Sequence, residues 1–423
     1  MNANTALAHV TQSVRPLLEV ADIFRTYGEH YRKNHWISAD QRKAMVNIEN
    51  CRTAALGGHV DICDNGCGYT RISYNSCRDR HCPKCQSLQS AKWLDGRLKR
   101  MLPCPYFHVV VTFPHQLNPI ILQNRSVVYP LLFKAAASSL VELCRDWKRF
   151  KAQIGFTAIL HTWNQDLLFH PHLHLVVTAG GLDRTQERWI QSKGKFLVPV
   201  GALANKVRGK LLHLLKQAGN EGKLALHASI ENLQDPMEFA GFISRLYDTR
   251  WHIYIKKPFA GPEQVFRYLS QYTHRVAISN QRLLSMNNQR VTFRARDNNN
   301  PGKTRTVSVA PEEFIRRLLI HILPKRFVKI RHYGLMAPCN VTTKLETARS
   351  LIERLLPNTA EAPCSAETAG TETTWLDRYF HITGKDLTRC PKCRKGRLNR
   401  VPLYIFEPKP QASSPQPIFL DSS

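Results

Sequence analysis

Hydrophobic and polar positions change period several times along this chain, and the changes divide it into elements. In "RPLLEVADIFRTYGEHYRKN", within residues 1–50, apolar side chains recur every three or four positions, which predicts helix. From residue 104 to 180 the pattern becomes runs of β-branched and aromatic residues, "YFHVVVTF", "FTAILHTW" and "LHLVVTA", read as three strands. Between the first two lies "LLFKAAASSLVELCRDWKRF", with helical spacing. Residues 202–218, "ALANKVRGKLLHLLKQA", read as a basic surface helix within an insertion spanning 202–240. "WHIYIKK", from residue 251, is strand-like and leads into "GPEQVFRYLSQYTHRVAISN". "RVTFRARD" and "RTVSVA" predict a hairpin over an Asn/Gly-rich turn, followed by the helix "PEEFIRRLLIHIL". Residues 357–375, rich in Thr, Ala and Glu, read as a linker. The mixture predicts an α+β protein.

Two of these elements carry candidate chemistry. In "HPHLHLVV", residues 170–177, histidines occupy alternate positions, so His170, His172 and His174 share one face of a strand. His161 lies eleven residues before His172. A hairpin turning near 164–169 would set those two opposite each other, and three imidazoles would converge as for a divalent cation with open positions. Gln165 competes as third ligand, and a half-buried strand with a polar edge is the bland alternative. In "YLSQY", Tyr268 and Tyr272 stand at i and i+4, on one face if the segment is helical. An aromatic core stripe would look the same.

Charge narrows the partner. Lys and Arg number 60 against 32 Asp and Glu, a formal +28 with pI near 9.9, which favours a polyanion such as nucleic acid. Residues 282–332 alone carry twelve basic and three acidic side chains. No run of about 18 apolar residues suggests a membrane span. The start "MNANTALAHVTQSV" lacks the look of a signal peptide. The expectation is a soluble cytoplasmic protein, nucleoid-associated when bound to DNA, without a membrane partner.

Twelve cysteines cluster in close pairs, which in a reducing compartment reads as metal ligation. In "CRTAALGGHVDICDNGCGYTRISYNSCRDRHCPKCQ" the pairs Cys63/Cys67 and Cys82/Cys85 predict one tetrahedral structural zinc. Cys51, His59, Cys77 and His81 are left over for a second site. Arg78, Arg80 and Lys84 give the block a basic face. Near the other end, "CPKC" recurs, and Cys390 and Cys393 have Cys364 and His381 nearby to complete a half-site.

Several stretches resemble a known family. "CRTAALGGHVDICD", "YNSCRDRHCPKCQ", "LHTWNQDLLFHPHLHLVV", "GPEQVFRYLSQYTHRVAISN", "VTFRARD" and "LPKRFVKIRHYGLMA" are similar to the rolling-circle transposases of the insertion sequence 91 family, the two-tyrosine branch of the HUH endonucleases. They span about residues 51 to 336. The resemblance implies a small zinc-binding domain followed by an HUH domain, an antiparallel sheet flanked by helices. His172-Leu173-His174 would be the metal motif holding Mg²⁺ or Mn²⁺, and Tyr268 and Tyr272 the nucleophiles. It further implies single-stranded DNA intermediates, recognition of element ends, and transfer to target DNA; an oligomer is compatible.

The expected division is a helical segment over 1–50, a zinc domain over 51–100, a catalytic domain over 101–340 and a tail over 341–423. Lys256, Lys257, Arg267, His274 and Arg275 are candidate phosphate contacts, and Trp251, Tyr254 and Phe266 candidate stacking platforms. A replication initiator or relaxase would share the chemistry. A non-catalytic zinc-dependent DNA-binding regulator would explain the charge and cysteines alone. Acidic residues are too scarce, and form no evident triad, for a three-carboxylate transposase.

Overall fold

A computed structural model describes residues 16–85, 100–146, 150–194, 196–259, 277–287, 289–297, 302–355 and 386–403, with positions 96, 300, 374, 377 and 380. In chain order the elements are α1 (Val20–Asn34), α2 (Ala39–Asn50), β1 (Gly58–Cys63), β2 (Thr70–Tyr74), β3 (Tyr106–Thr112), α3 (Asn118–Gln123), α4 (Arg125–Arg145), β4 (Gln153–Trp163), β5 (Phe169–Leu182), β6 (Trp189–Gln191), α5 (Val200–Asn220), α6 (Pro236–Asp248), β7 (His252–Phe259), β8 (Leu283–Asn287), β9 (Arg290–Arg296), β10 (Thr304–Val309), α7 (Pro311–Leu319), β11 (Ile330–Gly334), α8 (Lys344–Leu355) and β12 (Leu398–Leu403). They fall into two compact units.

Among the described residues, the smaller unit comprises 50–77 and 386–403, so it brings a C-terminal segment to the cysteine block. Its three-stranded antiparallel sheet has the order β12-β1-β2, with Gly58 opposite Leu403 and Cys63 opposite Leu398. Asp61, buried in β1, is held by Arg71 of β2 (2.8 Å) and Arg400 of β12 (2.9 Å). A buried carboxylate is tolerable only with such partners. This arrangement departs from the expected division: α1, α2, residues 78–100 and α8 all belong to the larger unit, and the C-terminal strand belongs with the cysteine block.

The larger unit is built on an antiparallel sheet in the order β11-β4-β5-β3-β7, with β6 added to β5. Alternation along each strand separates its faces. Val109, Val111, Phe156, Ala158, Leu160, Leu173, Leu175 and Val177 point into one core, onto which α4, α5 and α6 pack. Helix α4 is long and apolar enough to cross a membrane by length and composition, yet 61% of that stretch is buried in this core. The expected basic insertion helix is also part of it. Leu203, Val207, Leu211, Leu212 and Leu215 of α5 form a buried stripe at helical spacing, and the basic residues occupy its other side. On the opposite sheet face, Tyr106, Ile159 and Val176 are covered by Leu345, Ala348 and Ile352 of α8. A second sheet, β10-β9-β8, packs Phe293 edge-on against Phe314 of α7 (5.9 Å between ring centres).

Candidate metal centre

The site is built on the β4–β5 hairpin. Its turn, residues 164–168, is fixed from within: the Asn164 side-chain oxygen accepts from Asp166 N–H and Leu168 N–H, both at 2.9 Å. Leu167 adopts a left-handed φ of 62°, unusual for a bulky residue, with its side chain fully buried. The turn is also gripped from outside. Arg282 donates to the Gln165 carbonyl, Arg305 pairs with the Asp166 carboxylate, Arg317 donates to the Asp166 carbonyl (3.0 Å), and His321 donates to the Leu167 carbonyl (3.0 Å). Part of the positive charge of residues 282–332 is thereby committed to holding this hairpin.

The resulting register pairs His161 with His172 and Ile159 with His174. Because Leu160, Leu173 and Leu175 face the core, the three imidazoles project together from the other face. Ring centres lie 4.6 Å apart for His161–His174, 4.8 Å for His172–His174 and 5.5 Å for His161–His172. One ring nitrogen from each lies within 4.8 Å of the others. Burial drives all the perturbed imidazoles toward the neutral form. His172 is pushed down to about 4, and His174 well below the usual range by burial and by the neighbouring His161, His172, His108 and Lys256. His172 Nδ1 donates to the His170 carbonyl (2.7 Å), so its Nε2 carries the lone pair.

One participant is absent from the sequence-based set. His108 of β3 is buried, and its Nε2 meets His174 Nδ1 at 2.9 Å with the rings stacked. Burial, then the charge of Lys256, holds His108 down to about 3. The one signal was a single imidazole inside the otherwise apolar strand "YFHVVVT"; the strand pairing that brings it to His174 is not written there.

The other candidates divide as follows. Gln165 sits in the hairpin turn, beyond the rung where His161 faces His172. Lys256 is exposed and pairs with His108, on the imidazole face. Tyr254, 59% exposed, lies on that same face, whereas Trp251 is buried with its indole N–H on the Leu246 carbonyl (3.1 Å) and belongs to the core. The Lys257 side chain and Phe266, Arg267, Tyr268, Tyr272, His274 and Arg275 lie outside the described residues.

The expected cysteine grouping is corrected. Cys63 and Cys67 come together with Cys390 and Cys393, all four sulfurs within 4.8 Å, rather than with Cys82 and Cys85. Cys82 and Cys85 occupy a buried turn of the larger unit, where Cys85 N–H donates to the Cys82 carbonyl (3.2 Å). Cys51 and Cys77 flank the β1–β2 hairpin, whose base is closed by Arg52 N–H donating to Asn75 (3.0 Å). His81 is excluded as a ligand because both its nitrogens are engaged, Nδ1 with Asp79 (3.0 Å) and Nε2 with the Leu323 N–H (3.1 Å). His59 faces Asp61 at 3.9 Å and joins neither thiol pair. Cys364 and His381 lie outside the described residues.

Comparison with known proteins gives this architecture a context. A family model described as "Putative transposase" matches residues 155–344, which include the hairpin and all three clustered imidazoles. A second, "Transposase zinc-binding domain", named for insertion sequence 91, matches residues 23–113. "Putative transposase y4qJ" of Sinorhizobium fredii is 43% identical over 387 residues, 91% of this chain and 95% of the relative. "Transposase for insertion sequence element IS801" of Pseudomonas savastanoi pv. phaseolicola is 28% identical over 311 residues, 70% of each chain. No solved structure matches. A transposase model over the histidine hairpin, a zinc-binding model over the cysteine block and a relative alike along nearly its whole length agree: the chain belongs to the insertion sequence 91 family of transposases.

Proposed function

We propose that this transposase breaks and joins single-stranded DNA at element ends by attack of a tyrosine oxygen on a phosphodiester, in a rolling-circle mode of transposition. The observation that carries the reading is the convergence of His161, His172 and His174 on one sheet face. Three imidazoles fit a divalent cation: burial keeps His172 and His174 neutral with their lone pairs available, and three protein ligands leave positions for a phosphate. By donor softness the all-nitrogen set suits Mn²⁺ better than Mg²⁺. When bound, the cation supplies Lewis acidity to the phosphate and to the departing oxygen.

Tyr268 or Tyr272 supplies the nucleophile. Its oxygen bonds to phosphorus, the bond from phosphorus to the 3′ oxygen breaks, and that oxygen leaves to become a 3′-hydroxyl. The phenolic proton departs to solvent, and the product is a 5′-phosphotyrosine. The linkage conserves the phosphodiester's energy, so a later 3′-hydroxyl can attack it and rejoin the strand to a target. The second tyrosine serves the second strand. Lys256, on the imidazole face, offers positive charge to the DNA backbone, and Tyr254 a ring for an unpaired base.

Incubation with end-labelled single-stranded DNA carrying an element end tests the chemistry. Metal-dependent cleavage with a protein-linked 5′ fragment is expected, abolished by EDTA. Tyr268→Phe or Tyr272→Phe removes the covalent product at one step. His172→Ala lowers cleavage by about 100-fold or more, as loss of metal polarisation predicts. Binding without cleavage would instead identify a regulator.

A further inference from the structure

The second "CPKC" has no role in the transposition chemistry above, and the zinc-binding family model, which ends at residue 113, does not reach it. We propose that Cys63, Cys67, Cys390 and Cys393 hold one structural zinc ion that closes the two ends of the chain into a single module. The inference does not depend on the strand-transfer reading.

Distance speaks first. Cys63 and Cys393 sulfurs lie 3.7 Å apart, and Cys67 and Cys390 sulfurs 3.6 Å apart. Four thiolates about 2.3 Å from a tetrahedral zinc stand about 3.8 Å from one another. A disulfide would need about 2 Å.

The backbone around the thiols is shaped for that purpose. Gly396 N–H points at Cys393 Sγ (3.4 Å), a bond that stabilises a thiolate, while Cys390 N–H donates to the Gly396 carbonyl (2.9 Å). A Cβ on Gly396 would stand 2.6 Å from Cys63 Sγ, so the close approach of the two knuckles requires glycine there. The knuckles are also tied directly. Asp64 N–H donates to the Arg397 carbonyl (3.0 Å), Arg397 N–H returns to the Asp64 carboxylate (2.7 Å), and Lys392 Nζ reaches the Cys67 carbonyl (2.8 Å). β12 then runs along β1 from Cys63 to Gly58.

Energetics require something beyond these bonds. Among the described residues of the smaller unit, no aliphatic or aromatic side chain is buried; Ile62, Ile72, Tyr74 and Val401 are all exposed. The buried side chains are cysteines and Asp61. A module this small without an apolar core needs a metal to fold. The C-terminal segment is therefore half of a zinc site, and a chain ending before it would lose both the ion and strand β12.

Zinc content of the full-length protein tests this. Cys390→Ser with Cys393→Ser should lose one equivalent per chain, Cys63→Ser with Cys67→Ser the same one, and all four together no more. Unchanged zinc after the C-terminal pair is replaced would overturn the proposal. Should the doubles misfold, cobalt-loaded Cys393→His decides: it keeps the metal and shifts the ligand-field bands as a three-sulfur, one-nitrogen site does. Unchanged bands would also overturn it.

Discussion

His174 can ligate through Nε2 only if Nδ1 carries the hydrogen, and His108 Nε2, 2.9 Å away, is placed to accept it. In the proposed centre, His108 would thus fix both the tautomer and the tilt of a ligand without touching the cation. Replacing it with Ala should weaken Mn²⁺ binding by about 10- to 100-fold, the usual cost of removing such a support. His108→Gln, whose amide oxygen can accept the same hydrogen bond, should recover much of the loss. Titration followed by Mn²⁺ electron paramagnetic resonance measures this. Equal affinity in the Ala variant, with only its melting temperature lowered, would reduce His108 to a packing residue.

At the scale of the strand, β5 does two jobs on alternate positions. His172 and His174 face the imidazole cluster, while Leu173, fully buried, faces the helices. Leu173→Ala should therefore cost about 2–5 kcal/mol of stability, read by denaturant unfolding, yet leave Mn²⁺ affinity nearly intact. His172→Ala should do the reverse. A variant of either kind that lowered both equally would show that the two faces are not separable. The same strand explains a glycine pair: a Cβ on Gly181 would meet the Gln153 backbone at 2.5 Å, and one on Gly180 the Trp189 ring at 2.3 Å. Gly181→Ala should cost about 1–3 kcal/mol by forcing β4 and β5 apart.

Over the whole molecule, a charge of +28 makes DNA binding a counterion-release process. If six or more phosphates are contacted, affinity for a single-stranded oligonucleotide should fall by about 300-fold or more between 50 and 200 mM salt. Fluorescence anisotropy measures it, and a flat response would show that the charge serves something other than binding. Stability should depend on acidity as well. Burial holds His321 and His108 down to about 3 and His172 to about 4, against an ordinary value of 6.5. Their folded pKa values lie below the unfolded ones, so the unfolded chain binds more protons as pH falls below 6.5. Metal-free protein should melt at progressively lower temperature from pH 6.5 down to about 4, with little change above pH 7; a melting temperature constant over that interval would contradict the neutral buried imidazoles.

The sequence by itself determined a good deal. Runs of β-branched and aromatic residues marked β3, β4, β5, β7 and the β9–β10 hairpin, and the eleven-residue spacing put His161 across from His172, because strand propensity and hairpin register are local properties. The family was legible too, since its motifs are continuous stretches. Pairings between distant segments were decided only by the tertiary structure. Nothing near "CPKC" at 390–393 says that its partners lie more than 320 residues earlier, and two close cysteine pairs in one block made the wrong set look natural. The basic helix over 202–218 showed its polar side to the sequence pattern while its leucine stripe waited for a sheet to cover it. His108 is a single imidazole in a hydrophobic strand until β3 is laid beside β5. Local pattern sets what each segment is; which segments meet depends on burying apolar faces and satisfying thiols across the chain, and that is a property of the whole fold.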